Sequence, residues 1–187
     1  MKFHLTAMMV GATLLFTGGG CIFWQNSVRE TAEFDPVSGD RGKEAPVPVF
    51  YGVFRNVSGS GRRFMIRREN GQIGNDEYIR WLDSPELLME RAFFRWMPSP
   101  ASKTAEVSTW RVSCTLTRFD FERGAAVAAA DFELRHSQTT RVVHAESRVP
   151  VAGDSPEAMT AAMRKAMEQC VEEVRRSLAG IGTEEKK

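Results

Sequence analysis

Eight residues in the second half of the chain decide its fold: Trp110-Arg111-Val112-Ser113-Cys114-Thr115-Leu116-Thr117. Apolar and polar side chains alternate along them, which is the period of a β-strand with one buried face. The alternation predicts that the apolar set, which includes Cys114, points into a core. Residues 126–135 and 141–151 also have strand character, so this part of the chain predicts a three-stranded meander.

Two predicted helices flank the meander, and both begin with the same tripeptide. Ser84-Pro85-Glu86 and Ser155-Pro156-Glu157 each supply an N-cap hydroxyl, a proline at the first helical position and an acid in the first turn. The first helix is expected over residues 85–97 and the second over 156–179, where Gly180 would end it. The apolar stripe of the second helix is formed by Met159, Met163, Ala166, Cys170, Val174 and Leu178.

The N-terminal half adds two shorter strands. Residues 47–55 and 63–68 have strand character, and Asn70-Gly71 predicts a hairpin with brief pairing of residues 72–74. The element order is therefore β-β-α-β-β-β-α. It predicts an α+β fold, with a mostly antiparallel sheet and both helices packed on one face.

The first residues have the pattern of a lipoprotein signal. One basic residue, Lys2, precedes an uncharged apolar run, and three glycines lead to Cys21. We expect a signal peptide over residues 1–20 and acyl chains, such as palmitate, on Cys21. An uncleaved membrane span and ordinary secretion are the alternatives. Ile22 stands where an Asp would favour retention in the inner membrane, so the expected location is the periplasmic face of the outer membrane.

The remaining boundaries follow from composition. Residues 21–46 are polar and rich in turn formers, which predicts a flexible tether that holds the domain up to about 70 Å from the membrane. One domain is expected over residues 47–180, followed by a disordered tail over 181–187.

Charge bears on the possible partners, and the cysteine content bears on a possible disulfide. The chain has 25 basic and 24 acidic residues, a balance that does not suggest nucleic-acid binding. If Cys21 carries lipid, Cys114 and Cys170 remain as an even pair in a disulfide-permissive compartment. They are either bridged or buried as free thiols.

The sequence offers little that points to catalysis. His136 and His144 have no metal-ligand spacing and no nucleophile motif beside them. Asp120, Glu122, Asp131 and Glu133 have the spacing of a solvent-exposed sheet face. We therefore expect no enzymatic activity, no cofactor and no metal.

Two surfaces are candidates for partner binding. The basic cluster Arg62, Arg63, Arg67 and Arg68 could meet lipid phosphate or an acidic protein, Arg67 and Arg68 above all, or could simply keep an edge strand soluble. On the first helix, Leu87 and Phe94 fall on the polar side. They are expected either to contact a partner or a second copy, or to be covered by the loop that follows the helix. The opposite, buried arc of this helix is formed by Leu88, Met89, Ala92, Phe93 and Trp96.

The stretch Tyr78-Ile79-Arg80-Trp81 before the first helix, and Arg118-Phe119 at the end of the central strand, resemble the ABC-type transport auxiliary lipoprotein family. The resemblance covers about residues 47–179. It implies an outer-membrane lipoprotein that works with an MCE-domain substrate-binding protein and an ABC permease to move lipid between membranes. Tyr78, Arg80 and Trp81 are expected to have a structural role at the start of the helix.

The resulting hypothesis is a lipid-anchored, non-enzymatic docking subunit of a lipid transport system. One alternative is a periplasmic carrier that holds an acyl chain between the sheet and Met159, Met163 and Met167 of the second helix. Another is an envelope lipoprotein without a transporter.

Overall fold

The structure, a computed structural model, describes residues 31–100 and 109–184, with side chains up to Ile181. Seven strands and two helices occur within these residues, and the predicted α+β class and element order are confirmed, with two additional strands. In chain order the elements are β1 (Ala32–Phe34), β2 (Val49–Asn56), β3 (Arg63–Arg67), β4 (Ile73–Trp81), α1 (Pro85–Trp96), β5 (Trp110–Glu122), β6 (Ala125–His136), β7 (Thr139–Pro150) and α2 (Pro156–Glu184).

All seven strands form one sheet, in the order β1-β4-β3-β5-β6-β7, with β2 also beside β5. The predicted meander is present, because β5, β6 and β7 pair antiparallel. The pairs β1 with β4, β2 with β5 and β3 with β5 are parallel, so the sheet is mixed rather than mostly antiparallel. β2 and β3 lie one after the other along the same edge of β5: β2 pairs with its first half and β3 with its last two residues.

β4 is longer than the brief pairing that Asn70-Gly71 predicts. It runs from Ile73 to Trp81, antiparallel to β3 and parallel to β1. The sequence does not predict its full length, because most of its residues are exposed or half-buried and only Trp81 is buried.

A β-bulge in β5 changes which side chains point inward. The register shifts between Leu116 and Arg118, which makes Thr117 the extra residue. A bulge of this kind moves the alternation by one position. Phe119 therefore joins the core, with 1% of its surface exposed, and Asp120 turns to the face away from the helices.

Both helices pack on one face of the sheet, as predicted. All five residues of the predicted α1 arc are buried, and so is the α2 stripe except for the partly buried Met159. α2 nevertheless continues through Gly180 to Glu184, so the predicted end at Gly180 is wrong and residues 181–184 belong to the helix rather than to a tail. Residues 185–187 lie outside the described part of the chain. One glycine costs a helix only about 1 kcal/mol, and the burial of Leu178 and Ile181 on either side continues the apolar stripe.

The two predicted N-caps differ. Ser155 accepts a hydrogen bond from the N–H of Ala158 at 3.2 Å, as an N-cap should. Ser84 occupies the N-cap position of α1, but its hydroxyl accepts no hydrogen bond from the helix backbone and instead donates to the carboxylate of Glu86 at 2.6 Å.

Residues 32–46, here called the strap, were expected to be a flexible tether but pack along α1. β1 pairs with β4, and Val37 and Ala45 are 2% and 5% exposed. The N–H of Gly42 donates to the carbonyl of Arg95 at 2.9 Å, and that of Ala45 to the carbonyl of Pro98 at 2.9 Å. The tether prediction is wrong for these residues, because apolar residues scattered without a period still find places in the core. Residues 21–30 lie outside the described part of the chain.

Candidate functional site

The described residues form no cluster of three or more His, Cys, Asp or Glu side chains that could hold a metal ion. The ring of His136 stacks on Trp110, with centroids 5.0 Å apart. His144 is exposed, and its Nδ1 lies 2.5 Å from a carboxylate oxygen of Asp131. Both histidines thus make structural contacts.

The motif Tyr78-Ile79-Arg80-Trp81 forms the end of β4 and joins the strap to the core. Trp81 is 1% exposed and stacks on Phe64, with ring centroids 3.8 Å apart. The guanidinium of Arg80 lies 2.8 Å from the carboxylate of Glu33 in β1. Tyr78 is 44% exposed. The motif therefore anchors the sheet edge, and α1 begins four residues after it.

The basic cluster does not form one surface. Arg62 donates to the carbonyl of Leu82 at 2.5 Å and pairs with Glu33 at 3.0 Å. Arg67 pairs with Asp120 at 3.2 Å. Arg68 is exposed. Of the two proposed partner-binding arginines, Arg67 is thus engaged inside the fold and Arg68 points to solvent.

Asp120 is the centre of a charged network that the sequence interpretation missed, because it places this residue on a wet sheet face. The carboxylate is completely buried and lies 2.8 Å from Arg118 and 3.2 Å from Arg67. Glu122 extends the network, at 3.0 Å from both Arg118 and Arg148. Hydrogen bonds from these two arginines lower the pKa of Glu122. Burial lowers the pKa of Arg118, but hydrogen bonds to Asp120 and Glu122 outweigh it, and the pKa is raised.

The suggested disulfide is not formed: Cys114 and Cys170 are buried free thiols. The Sγ of Cys170 donates to the carbonyl of Ala128 at 3.5 Å, whereas Cys114 pairs with Phe132, four residues further along β6. The apolar alternative of the sequence interpretation therefore describes both residues.

Because of these two buried thiols, the free energy of unfolding should fall as the pH rises into the alkaline range. Burial raises the pKa of both thiols, that of Cys170 to about 12. Below about pH 8.5 the thiols are protonated in both states, so their contribution is fully present. Above it the unfolded thiols ionise, and the free energy of unfolding should fall by up to about 1.4 kcal/mol per pH unit for each thiol.

Urea denaturation at several pH values between 7 and 10 would measure this slope. The matched control is the double variant Cys114→Ala/Cys170→Ala, which should be less stable at pH 7 but lose less stability as the pH rises. Equal slopes for the two proteins would contradict free buried thiols. A bridged protein would in addition release no thiol on unfolding.

The outer side of α1 carries exposed apolar residues, as predicted for Leu87 and Phe94. They are 47% and 56% exposed. Phe94 lies edge-on to the ring of Tyr51, with centroids 4.8 Å apart, and faces a hollow of about 340 Å³. We call this hollow the aromatic groove; its lining residues are Arg41, Val49, Phe50, Tyr51, Phe94, Pro98 and Ser99.

Phe50 is a residue of the groove that the sequence interpretation missed. It is 59% exposed and stands in β2 between the buried Val49 and Tyr51. The alternation of β2 could have indicated its exposure. Its position beside Phe94 depends on how β2 and α1 are placed in the fold. Leu87, two helical turns away on α1, is not among the lining residues of the groove.

The rim of the groove is basic. Arg41 lines the groove, and the guanidinium of Arg111 lies 5.8 Å from the centroid of the Phe50 ring. Arg41 also borders a second hollow of about 430 Å³, together with Phe94 and Arg95. An exposed aromatic surface framed by guanidinium groups is suited to protein recognition, because Arg and aromatic residues are enriched in interfaces.

The methionines of α2 are part of the core. Met163 and Met167 are 0% exposed and belong to the same cluster as the inward side chains of β5 and β6. The region in which a carrier would hold an acyl chain is therefore occupied by side chains. None of the helices in the described residues is long and apolar enough to span a membrane.

The fold and its surface define a class first: an α+β domain with two helices on one face of a mixed sheet and an exposed aromatic groove beside the first helix. The family model for the ABC-type transport auxiliary lipoprotein component matches residues 60–175, and the chain belongs to this family. This confirms the resemblance inferred from the sequence, and with it the assignment to a transport auxiliary lipoprotein.

Two solved structures share the fold. A Xanthomonas campestris protein of family DUF330 is 16% identical, with a TM-score of 0.65, over 83% of this chain and 100% of that one. A protein described as uncharacterized is 12% identical, with a TM-score of 0.59, over 75% of this chain and 99% of that one. A search of curated proteins finds no match.

Proposed function

We propose that this protein is a lipid-anchored, non-enzymatic subunit of an ABC and MCE-type lipid transport system, and that it docks the complex at the outer membrane. The observation that carries the proposal is the family match across most of the folded domain. The exposed aromatic groove supports docking, and the filled core beneath α2 does not favour a lipid carrier.

The packed strap changes the geometry of the proposed anchor. With residues 32–46 held on the domain, the connection from Cys21 to residue 31 is ten residues long, which reaches about 35 Å at full extension. The domain would therefore stay close to the membrane. A subunit held at this distance is suited to receive a partner that extends across the periplasm.

Affinity capture would test the proposal. The full chain, tagged at its C-terminus and produced in its own bacterium, should bring down an ABC permease and an MCE-domain protein, identified by mass spectrometry. Labelled palmitate should appear on the same chain, and both the label and the outer-membrane fraction should be lost in Cys21→Ser.

Two outcomes would contradict the proposal. If the wild-type chain captures neither protein, the transport assignment fails. If palmitate remains on Cys21→Ser, the anchor is elsewhere. A Val142→Ser chain serves as the matched control, because this exposed side chain lies on β7 and should change neither result.

A further inference from the structure

We propose that the aromatic groove binds an extended, acidic and apolar segment of a partner protein, which adds as a strand to the free edge of β2. The proposal deepens the proposed function, on which it rests for the idea that this protein docks a partner. It names the surface used and the chemistry of the segment bound.

The apolar part of the site is formed by two phenylalanines. Phe50 and Phe94 are both more than half exposed and line the same groove, whose floor includes the buried Tyr51. The Tyr51 hydroxyl donates to the carbonyl of Met97 and so fixes the floor to the end of α1. Burying two aromatic side chains is the kind of contact that dominates binding energy in small interfaces.

The charges select the sign of the partner. Within the described part of the chain, neither Arg41 nor Arg111 lies within ion-pair distance of a carboxylate, and Arg95 donates to the carbonyl of Gly39 at 2.7 Å. The arginines elsewhere on α1 and β5 differ, since Arg91 and Arg118 are each paired with two acids. The uncompensated positive rim thus complements an acidic segment and repels a basic one.

The backbone of β2 favours an extended segment. In the described residues β2 has a strand neighbour on one side only, which is β5. The carbonyl of Pro48 accepts from the N–H of Trp110 on that side, whereas the N–H of Val49 points away and donates to the Oγ of Ser99 at 3.0 Å. Strand alternation turns the N–H and C=O of Tyr51 to the same open side, where a peptide strand could pair with them.

The probe is a synthetic peptide, Asp-Phe-Glu-Phe-Asp-Val-Glu, labelled with a fluorophore and tested on the full chain in detergent by fluorescence anisotropy. Its counterpart has Lys at every acidic position. A photo-crosslinker in place of one Phe would map the contact by mass spectrometry. Dihexanoyl phosphatidylglycerol, added as competitor, tests whether the surface recognises lipid headgroups instead.

We expect the acidic peptide to bind and to crosslink to residues 49–51 and 94, and the basic peptide not to bind. Phe50→Ser/Phe94→Ser and Arg41→Glu/Arg111→Glu should each weaken binding about tenfold or more, and the second variant should prefer the basic peptide. Val142→Ser and Arg141→Glu, both at exposed positions on β7, should bind the acidic peptide like the wild type.

The proposal is overturned if neither peptide binds, if both bind equally, or if the crosslinks lie away from β2 and α1. Displacement of the peptide by the soluble lipid would overturn it in favour of a membrane-binding surface. These results are independent of transport: capture of the permease by a chain that binds no peptide would retain the proposed function and remove only the groove.

Discussion

Replacing Asp120 with alanine should lower the free energy of unfolding by about 3 kcal/mol, the lower end of the range for breaking a buried ion pair. The carboxylate is completely buried, and Arg67 and Arg118 donate to it. Without it Arg67 loses the carboxylate it pairs with, and Arg118 keeps Glu122 as an acidic partner. The two arginine side chains are 30% and 28% exposed, and this access to water keeps the loss at the lower end of the range.

Urea denaturation would measure the change, and a second carboxylate–arginine pair supplies the control. Glu133 lies 2.8 Å from Arg135, with the two side chains 44% and 55% exposed. Glu133→Ala should cost less than about 1 kcal/mol, as exposed pairs usually do. If Asp120→Ala costs no more than Glu133→Ala, the network does not stabilise the fold.

The helices show how far the sequence alone can lead. The five buried residues of α1 and the stripe of α2 follow from apolar spacing, because a helix must bury one continuous face. The strands of the meander follow in the same way from their alternation of apolar and polar residues. For these elements the spacing of apolar residues within the segment is enough to predict the structure.

The remaining elements depend on contacts distant in sequence. The bulge at Thr117 depends on the pairing of β5 with β6, and it turns Asp120 to the face away from the helices. Asp120 is nevertheless buried there because Arg67 and Arg118 lie against it, and no local pattern shows that contact. β1 is three residues long and exists through its pairing with β4, so no local pattern indicates it. The strap is fixed by backbone hydrogen bonds to Arg95 and Pro98, and the close approach of Gly42 to the carbonyl of Trp96 leaves no room for a side chain there. These contacts join residues distant in sequence and have no local pattern.

For the candidate site, the sequence predicts which residues are exposed but not which of them lie side by side. A helical wheel exposes Phe94, and alternation exposes Phe50, but nothing local places them side by side. That requires the parallel pairing of β2 with β5 and the packing of Tyr51 against Phe93 and Phe94. The helical wheel also groups Phe94 with Leu87, but the aromatic groove lies at the C-terminal end of α1, beside Phe94, and Leu87 lies near the N-terminal end.

Replacing Trp81 with alanine should cost about 3–5 kcal/mol, the range for removing a large aromatic side chain from a core. Its ring stacks on Phe64 at 3.8 Å and meets Phe119 at 5.4 Å and Phe121 at 6.0 Å. These rings join β3, β4 and β5, so a cavity here loosens three strands at once. Domains of this size are stable by about 5–15 kcal/mol, and the loss is large enough to leave part of the protein unfolded.

Variants within the motif test whether Trp81 matters because it is buried or only because it lies close to α1. Tyr78→Ala, at a residue 44% exposed, should cost less than about 1 kcal/mol by urea denaturation. Trp81→Phe should cost much less than Trp81→Ala, because the buried Nε1 of Trp81 has no hydrogen-bond partner in the described residues and nothing polar is lost with it. If Trp81→Phe were as damaging as Trp81→Ala, the indole nitrogen rather than the packed ring would be what the fold requires. If Tyr78→Ala were equally damaging, burial would not be what distinguishes Trp81 within the motif.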